Sequence, residues 1–189
     1  MGRSSRDHRQ PPRTLTRTVK RGEPAEIMEE LALFYDDLEQ AIKPLLAMHA
    51  GRLKCGRGCT SCCVDEITVF QVEAENIGKK HGDLLRKGRP HEPMACAFLD
   101  DRGNCRIYES RPYVCRTQGL PLRWIEETVQ GRMVEMRDIC PLNDTHPPIE
   151  SLDEEMCWTL GPFEEKLATL QLKLGGWDLK RIALRDLFA

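Results

Sequence analysis

The sequence predicts an α+β fold, mainly helical, in which a small cysteine-rich domain with short hairpins is flanked by N- and C-terminal helices. Three observations predict it. Apolar residues recur at steps of three and four over residues 24–50 and again near the C-terminus, the period of a helix with one buried face. Between these stretches the apolar runs are short and separated by turns carrying glycine, as in hairpins. Eight of the nine cysteines lie between Cys55 and Cys140, and four of them fall in Cys55-Gly56-Arg57-Gly58-Cys59-Thr60-Ser61-Cys62-Cys63.

That last run organises the chain. Gly56 and Gly58 let the backbone curl so that several sulfurs face one centre. Cysteines two to four residues apart suit a tetrahedral thiolate site. Lys54 and Arg57 place positive charge beside thiols that must lose protons to bind metal. The plain alternative is a reduced surface loop, but such density is rare outside metal sites and disulfide scaffolds. The start of the chain has no charged segment followed by an apolar stretch, so a reducing, cytoplasmic setting is expected. Clustered cysteines there favour metal over disulfides, and the odd count leaves one unpaired. Position 6 is Arg6, so the myristoylation pattern after Gly2 fails. No run approaches the ~18 apolar residues of a membrane helix, so no membrane partner is expected. The formal charge of -2 decides nothing as a sum.

Residues 1–22 are polar and basic, with Arg3, Arg6, Arg9, Arg13, Arg17, Lys20 and Arg21 against Asp7. They read as a disordered tail ahead of a single domain over 23–189. No aromatic residues interleave to stack on bases, which disfavours nucleic acid as a partner. Pro24 opens the first helix. Ile27, Leu31, Phe34, Leu38, Ile42 and Leu45 form its stripe, Pro44 is expected to kink it and Gly51 to end it. His49 is read as a partner of the helix C-terminus, with metal ligation as the competing role. Thr68 and Gln71 form a capping box for a second helix, with Val69, Val72 and Ile77 inside, Glu73 and Glu75 on the solvated face, Gly82 at its end and room for an added turn over Asp83 to Lys87. His81 and His91 read as surface residues.

Cys96 to Tyr108 reads as a hairpin or tight loop around Gly103 that brings Cys96 and Cys105 together. Ser110 and Pro112 start a short helix carrying Cys115 and Arg116. Leu122–Thr128 and Met133–Arg137 read as paired strands around Gln130-Gly131. Asn143 to Pro148 is a loop. Ser151 and Glu154 form another capping box, for a helix carrying Cys157 and Trp158. Further helices are expected over 162–174 and 178–188, so that C-terminal helices occupy 151–188. Cys157 is read as a buried, small apolar residue.

One segment of the chain resembles a known family. The run Cys55-x3-Cys59-x2-Cys62-Cys63, then Cys96-Ala97-Phe98-Leu99, then Gly103-Asn104-Cys105-Arg106-Ile107-Tyr108-Glu109-Ser110-Arg111-Pro112-x2-Cys115-Arg116, is similar to the YkgJ-like cysteine-cluster family. The similarity spans about 52–142. It implies a core that chelates zinc or iron through its cysteines, and says little of the biological role.

The residues point to the same chemistry independently. The candidate metal ligands are Cys55, Cys59, Cys62, Cys63, Cys96, Cys105, Cys115 and Cys140. Thiolate-only sets suit zinc or an iron–sulfur (Fe-S) cluster, and spacing alone does not choose between them. Neighbouring side chains diverge in both strand and helix, so Cys62 and Cys63 are expected to serve different centres. Cys55, Cys59 and Cys62 form the natural trio of one. Cys63 joins Cys96, Cys105, Cys115 and Cys140, one of which completes the trio. One multinuclear cluster, or one site with spare cysteines, are the alternatives. Arg111 and Arg116 could offset thiolate charge or pair with Glu109 or another carboxylate, and the Tyr108 hydroxyl is expected to find a partner. No Ser/His/Asp grouping, phosphate loop or carboxylate pair indicates an enzyme.

The leading functional reading is an intracellular metal-binding protein. A second is an iron–sulfur redox or radical enzyme component, since Cys55-x3-Cys59-x2-Cys62 has the spacing of radical enzymes using S-adenosylmethionine. Those enzymes wrap it in βα repeats, which this chain does not offer. A third is a zinc-stapled adaptor whose basic tail binds a protein or nucleic-acid partner.

Overall fold

In the computed structural model, residues 21–56, 58–143, 146–175 and 179–188 are described. The basic stretch expected as a tail lies outside them up to position 20. Gly22, assigned to that tail, donates its N–H to the carbonyl of Lys173.

The fold is α+β and mainly helical. Helix α1 (Pro24–Met48) buries the stripe its spacing predicts, with Tyr35 added to it. Pro24 stands in its first turn, where a missing N–H costs nothing. It packs on α4 (Pro162–Gly175). One core forms there around Ile27, Leu31, Phe34 and Leu38, closed by Leu167, Leu170, Tyr113 and Trp158. Burying each such side chain is worth about 1.5–3 kcal/mol.

The second core lies under the cysteine segments. Thr68–Phe70, expected as the start of a helix, is instead strand β1, and α2 runs over Gln71–Lys87 without the Thr68 capping box. Two β-branched residues and a phenylalanine suit a strand, and β1 pairs antiparallel with β5 (Arg181–Ala183), matching Val69 with Ile182. That pairing also replaces the C-terminal helix expected over 178–188. Among the described residues, a 3-10 turn, Leu184–Leu187, follows β5. The start of α2 is capped from another element: fully buried Gln171 of α4 accepts the N–H of Val72 at 3.0 Å. Helix α2 breaks at His81, beside the Gly82 expected to end it, and a further helical piece runs on to Lys87. His81, expected at the surface, has a ring nitrogen buried without a hydrogen-bond partner.

Strands β2 (Leu122–Glu127) and β3 (Met133–Asp138) form the expected hairpin. The helix expected to carry Cys157 and Trp158 is absent. Short 3-10 turns at Ile149–Ser151 and Glu154–Met156 lead into strand β4 (Trp158–Thr159), which pairs parallel with β2. Burial of the Trp158 ring against Phe163, with its indole N–H on the Tyr113 hydroxyl at 3.1 Å, outweighs the local capping signal.

Candidate metal site

Four separate segments bring the cysteines to one place. The loop after α1 carries Cys55 to Cys63. The Cys59 N–H bonds the Gly56 carbonyl, the Cys63 N–H bonds the Thr60 carbonyl, and Gly58 has a φ of +85°. The Cys96–Cys105 turn forms as the sequence predicts. Asp100 accepts the N–H groups of Arg102 and Asn104 at 2.9 and 2.7 Å, Gly103 adopts a positive φ, and Leu99 bridges Cys105. The Cys96 N–H then bonds the Cys63 carbonyl at 2.8 Å, fixing the turn to the loop. Cys115 lies on helix α3 (Tyr113–Thr117), which follows Pro112 and has no Ser110 cap. Cys140 lies two residues beyond the end of β3.

Cys55, Cys59, Cys62, Cys63, Cys96, Cys105 and Cys115 line one cavity of about 1070 Å³. Cys140 reaches the same cluster from its edge: Ser61 Oγ stands 3.8 Å from Cys59 Sγ and 3.9 Å from Cys140 Sγ. All nine cysteines carry free thiols. Among the described residues, no three His, Cys, Asp or Glu side chains are drawn up tightly enough to hold a metal ion as they stand.

Burial and mutual repulsion raise most of the thiols. Burial, followed by the charges of Cys140, Cys59 and Cys62, pushes the Cys55 thiol up. Cys63 is raised by its hydrogen bond to Cys62, by burial, and by Cys96 and Cys115. Cys115 is pushed up to about 12, by burial first and then by Cys96 and Cys105. Burial also raises Cys96 and Cys105. Cys62 alone moves down, to about 6, because the Cys63 thiol donates to it and Arg111 stands nearby.

Two arginines flank Cys115 in different roles. The Arg116 guanidinium pairs with Glu39, lies over the Tyr35 ring, and donates to the backbone carbonyls of Arg111 and Glu109. Arg111 stacks on the Tyr108 ring, 3.6 Å from its centroid, and its charge favours the thiolates of Cys62, Cys105 and Cys115. Tyr108, expected to pack with its hydroxyl engaged, is 42% exposed and serves as the platform for Arg111.

Glu73, expected on a solvated face, is 2% exposed. It accepts the Tyr35 hydroxyl at 2.9 Å and the Tyr113 N–H at 2.8 Å, tying α1 and α2 to the start of α3 beneath Cys115. Its surroundings raise its pKa, chiefly by burial. Glu75 stays exposed and takes a bond from Gln71. His49 turns from the cavity and donates Nε2–H to the Met156 carbonyl at 2.7 Å. Cys157 is buried away from the cluster between Arg123 and Arg137. Sequence reasoning missed Arg185, which pairs with Asp65 and donates to the carbonyls of His91, Glu92 and Ala95. It holds the segments before Cys96 and after Cys63. It also missed Asn143 and Gly119, which pack against Cys55.

Fold and site together define a cysteine-cluster domain in a mainly helical α+β chain, with sulfur as the donor set. Residues 54–141 match the family model CxxCxxCC, described as "Putative zinc- or iron-chelating domain". The matched segment holds all eight clustered cysteines and leaves out Cys157. No curated protein and no solved structure matches the chain. Among the described residues, no helix is long and apolar enough to cross a membrane.

Proposed function

We propose that this chain chelates zinc or iron in two neighbouring four-sulfur centres, Cys55, Cys59, Cys62 and Cys140 in one and Cys63, Cys96, Cys105 and Cys115 in the other. The observation that carries the reading is how the segments are tied. Ser61 Oγ stands 3.8 Å from Cys59 Sγ and 3.9 Å from Cys140 Sγ, whereas the Cys96 N–H bonds the Cys63 carbonyl and Leu99 bridges Cys105. The donor chemistry fits: thiolates complete zinc and iron–sulfur sites in fours. Such centres carry net negative charge. Arg111, set against Cys62 of one quartet and against Cys105 and Cys115 of the other, offsets part of it. Metal bound there would cross-link four segments and stabilise a core that joins them with little regular structure. Replacing Cys59 or Cys105 by Ser should each remove one centre and leave the other, read as metal per chain. Loss of all metal from either variant would instead indicate one cluster spanning both sets.

Thiolate donors suit zinc and an iron–sulfur core alike. Visible absorption and acid-labile sulfide in protein purified without oxygen indicate an iron–sulfur core, and a colourless, sulfide-free, zinc-loaded protein indicates zinc. The sheets of the described residues have two and three strands, not the βα repeats of the radical enzymes.

A further inference from the structure

We infer that Asn143 is the positioning residue of the first centre, with Gly119 as its backbone partner. The inference deepens the two-centre reading and rests on it. Asn143 lies just beyond the matched residues and is 4% exposed. Its Oδ1 accepts the backbone N–H of Lys54 at 2.8 Å and faces the Cys55 thiol at 3.8 Å. Its Nδ2 donates to the Gly119 carbonyl at 2.7 Å. Its own N–H closes the turn on the Cys140 carbonyl at 3.0 Å. The side-chain amide therefore joins the start of the cysteine loop to the turn after α3, and the backbone N–H of the same residue ties in the Cys140 turn. Cys55 meets its side chain and Cys140 its main chain.

The partners fix which end of the amide is which. A backbone N–H only donates and a carbonyl only accepts, so Oδ1 must face Lys54 and Nδ2 must face Gly119. Asp at this position would lose the donor to Gly119 and add a negative charge beside Cys55. When Cys55 loses its proton to solvent on binding a metal, Oδ1 still holds the Lys54 N–H, so the segment stays in place while the sulfur turns to the metal. Gly119 completes the cradle. Its φ is +97°, and a Cβ there would stand 2.4 Å from Cys55 Sγ and 3.3 Å from Cys55 Cβ. Only glycine lets the sulfur lie against that backbone.

Outer partners that orient metal ligands typically cost 10–100-fold in metal affinity when removed. The test is a Co²⁺ titration of the full-length, reduced, metal-free chain, followed by thiolate-to-cobalt charge-transfer absorption. Wild type should take up cobalt in two events. Asn143→Ala, Asn143→Asp and Gly119→Ala should each weaken one event about 10–100-fold and leave the other unchanged. In a Cys105→Ser background, where only the first centre remains, Asn143→Ala should weaken the surviving event. In a Cys59→Ser background it should not. A general structural role would depress both events together, and that result, or unchanged titrations, overturns the inference. A wild-type chain that loads in a single event overturns the two-centre reading itself, an outcome separate from two wild-type events with unaltered variants.

Discussion

The thiols of adjacent Cys62 and Cys63 influence each other at the seam between the proposed centres, so that Cys62 is held as the thiolate ahead of Cys63. Cys63 and the nearby Arg111 stabilise the Cys62 thiolate and bring its pKa from 9.0 to about 6. A lowered thiol pKa means a reactive thiolate at neutral pH. In the metal-free, reduced chain, alkylation of Cys62 by iodoacetamide should therefore rise with a midpoint near pH 6. Cys63→Ala should move that midpoint up, toward 9.0. Peptide mapping across pH gives the answer, and a wild-type midpoint at the ordinary value would contradict that influence.

Metal uptake should release protons. The thiols of Cys55, Cys63, Cys96, Cys105 and Cys115 are all raised, so near neutral pH they are protonated in the free chain and must lose those protons to bind. Affinity should fall as pH falls, since protons compete for the same sulfurs. Calorimetry in buffers of different ionisation enthalpy measures the count, and uptake without proton release would contradict the assignment of these ligands.

Glu73 should act on stability through its neutral form. Its pKa is raised in the folded chain, so its contribution is full below the unfolded value of 4.5 and is lost as pH rises through the folded value. Glu73→Gln keeps an acceptor for Tyr35 and Tyr113 without the charge. It should leave stability near wild type at low pH and raise it at high pH. Glu73→Ala leaves two buried donors unpaired and should cost about 2–4 kcal/mol. Urea midpoints across pH check both, and a Gln variant as damaged as Ala would show that the buried charge itself is needed.

Removing residues 1–20 should leave metal content unchanged. The stretch contains no cysteine, and the contacts around the cluster come from Lys54 to Asn143 and from Arg185. Metal analysis of the truncated chain tests this, and a truncated chain that lost its metal would show that the stretch contributes.

The parts legible in the sequence are those written locally. The α1 stripe from Ile27 to Leu45 emerged as a buried face because a 3.6-residue period has one physical reading. The turn at Gly103 and the hairpin at Gly131 followed from glycines at positive φ. Thr68 and Ser151 misled because a capping box is worth little against partners distant in sequence. Val69 finds Ile182, and Trp158 finds Tyr113 and β2. Glu73 and Asn143 were invisible for the same reason: a buried polar residue is recognised by donors far along the chain, and nothing beside it in sequence announces them. The cysteine cluster was legible because thiols packed so densely along a chain serve either metal sites or disulfide scaffolds.

The central claim is that the clustered thiols hold metal. Elemental analysis of the full-length protein purified without oxygen tests it most directly. The account predicts zinc or iron bound in the folded chain, reduced when Cys59 or Cys105 is replaced by Ser and absent when both are. A folded, monodisperse protein containing neither zinc nor iron, with all eight cysteines intact, would contradict it.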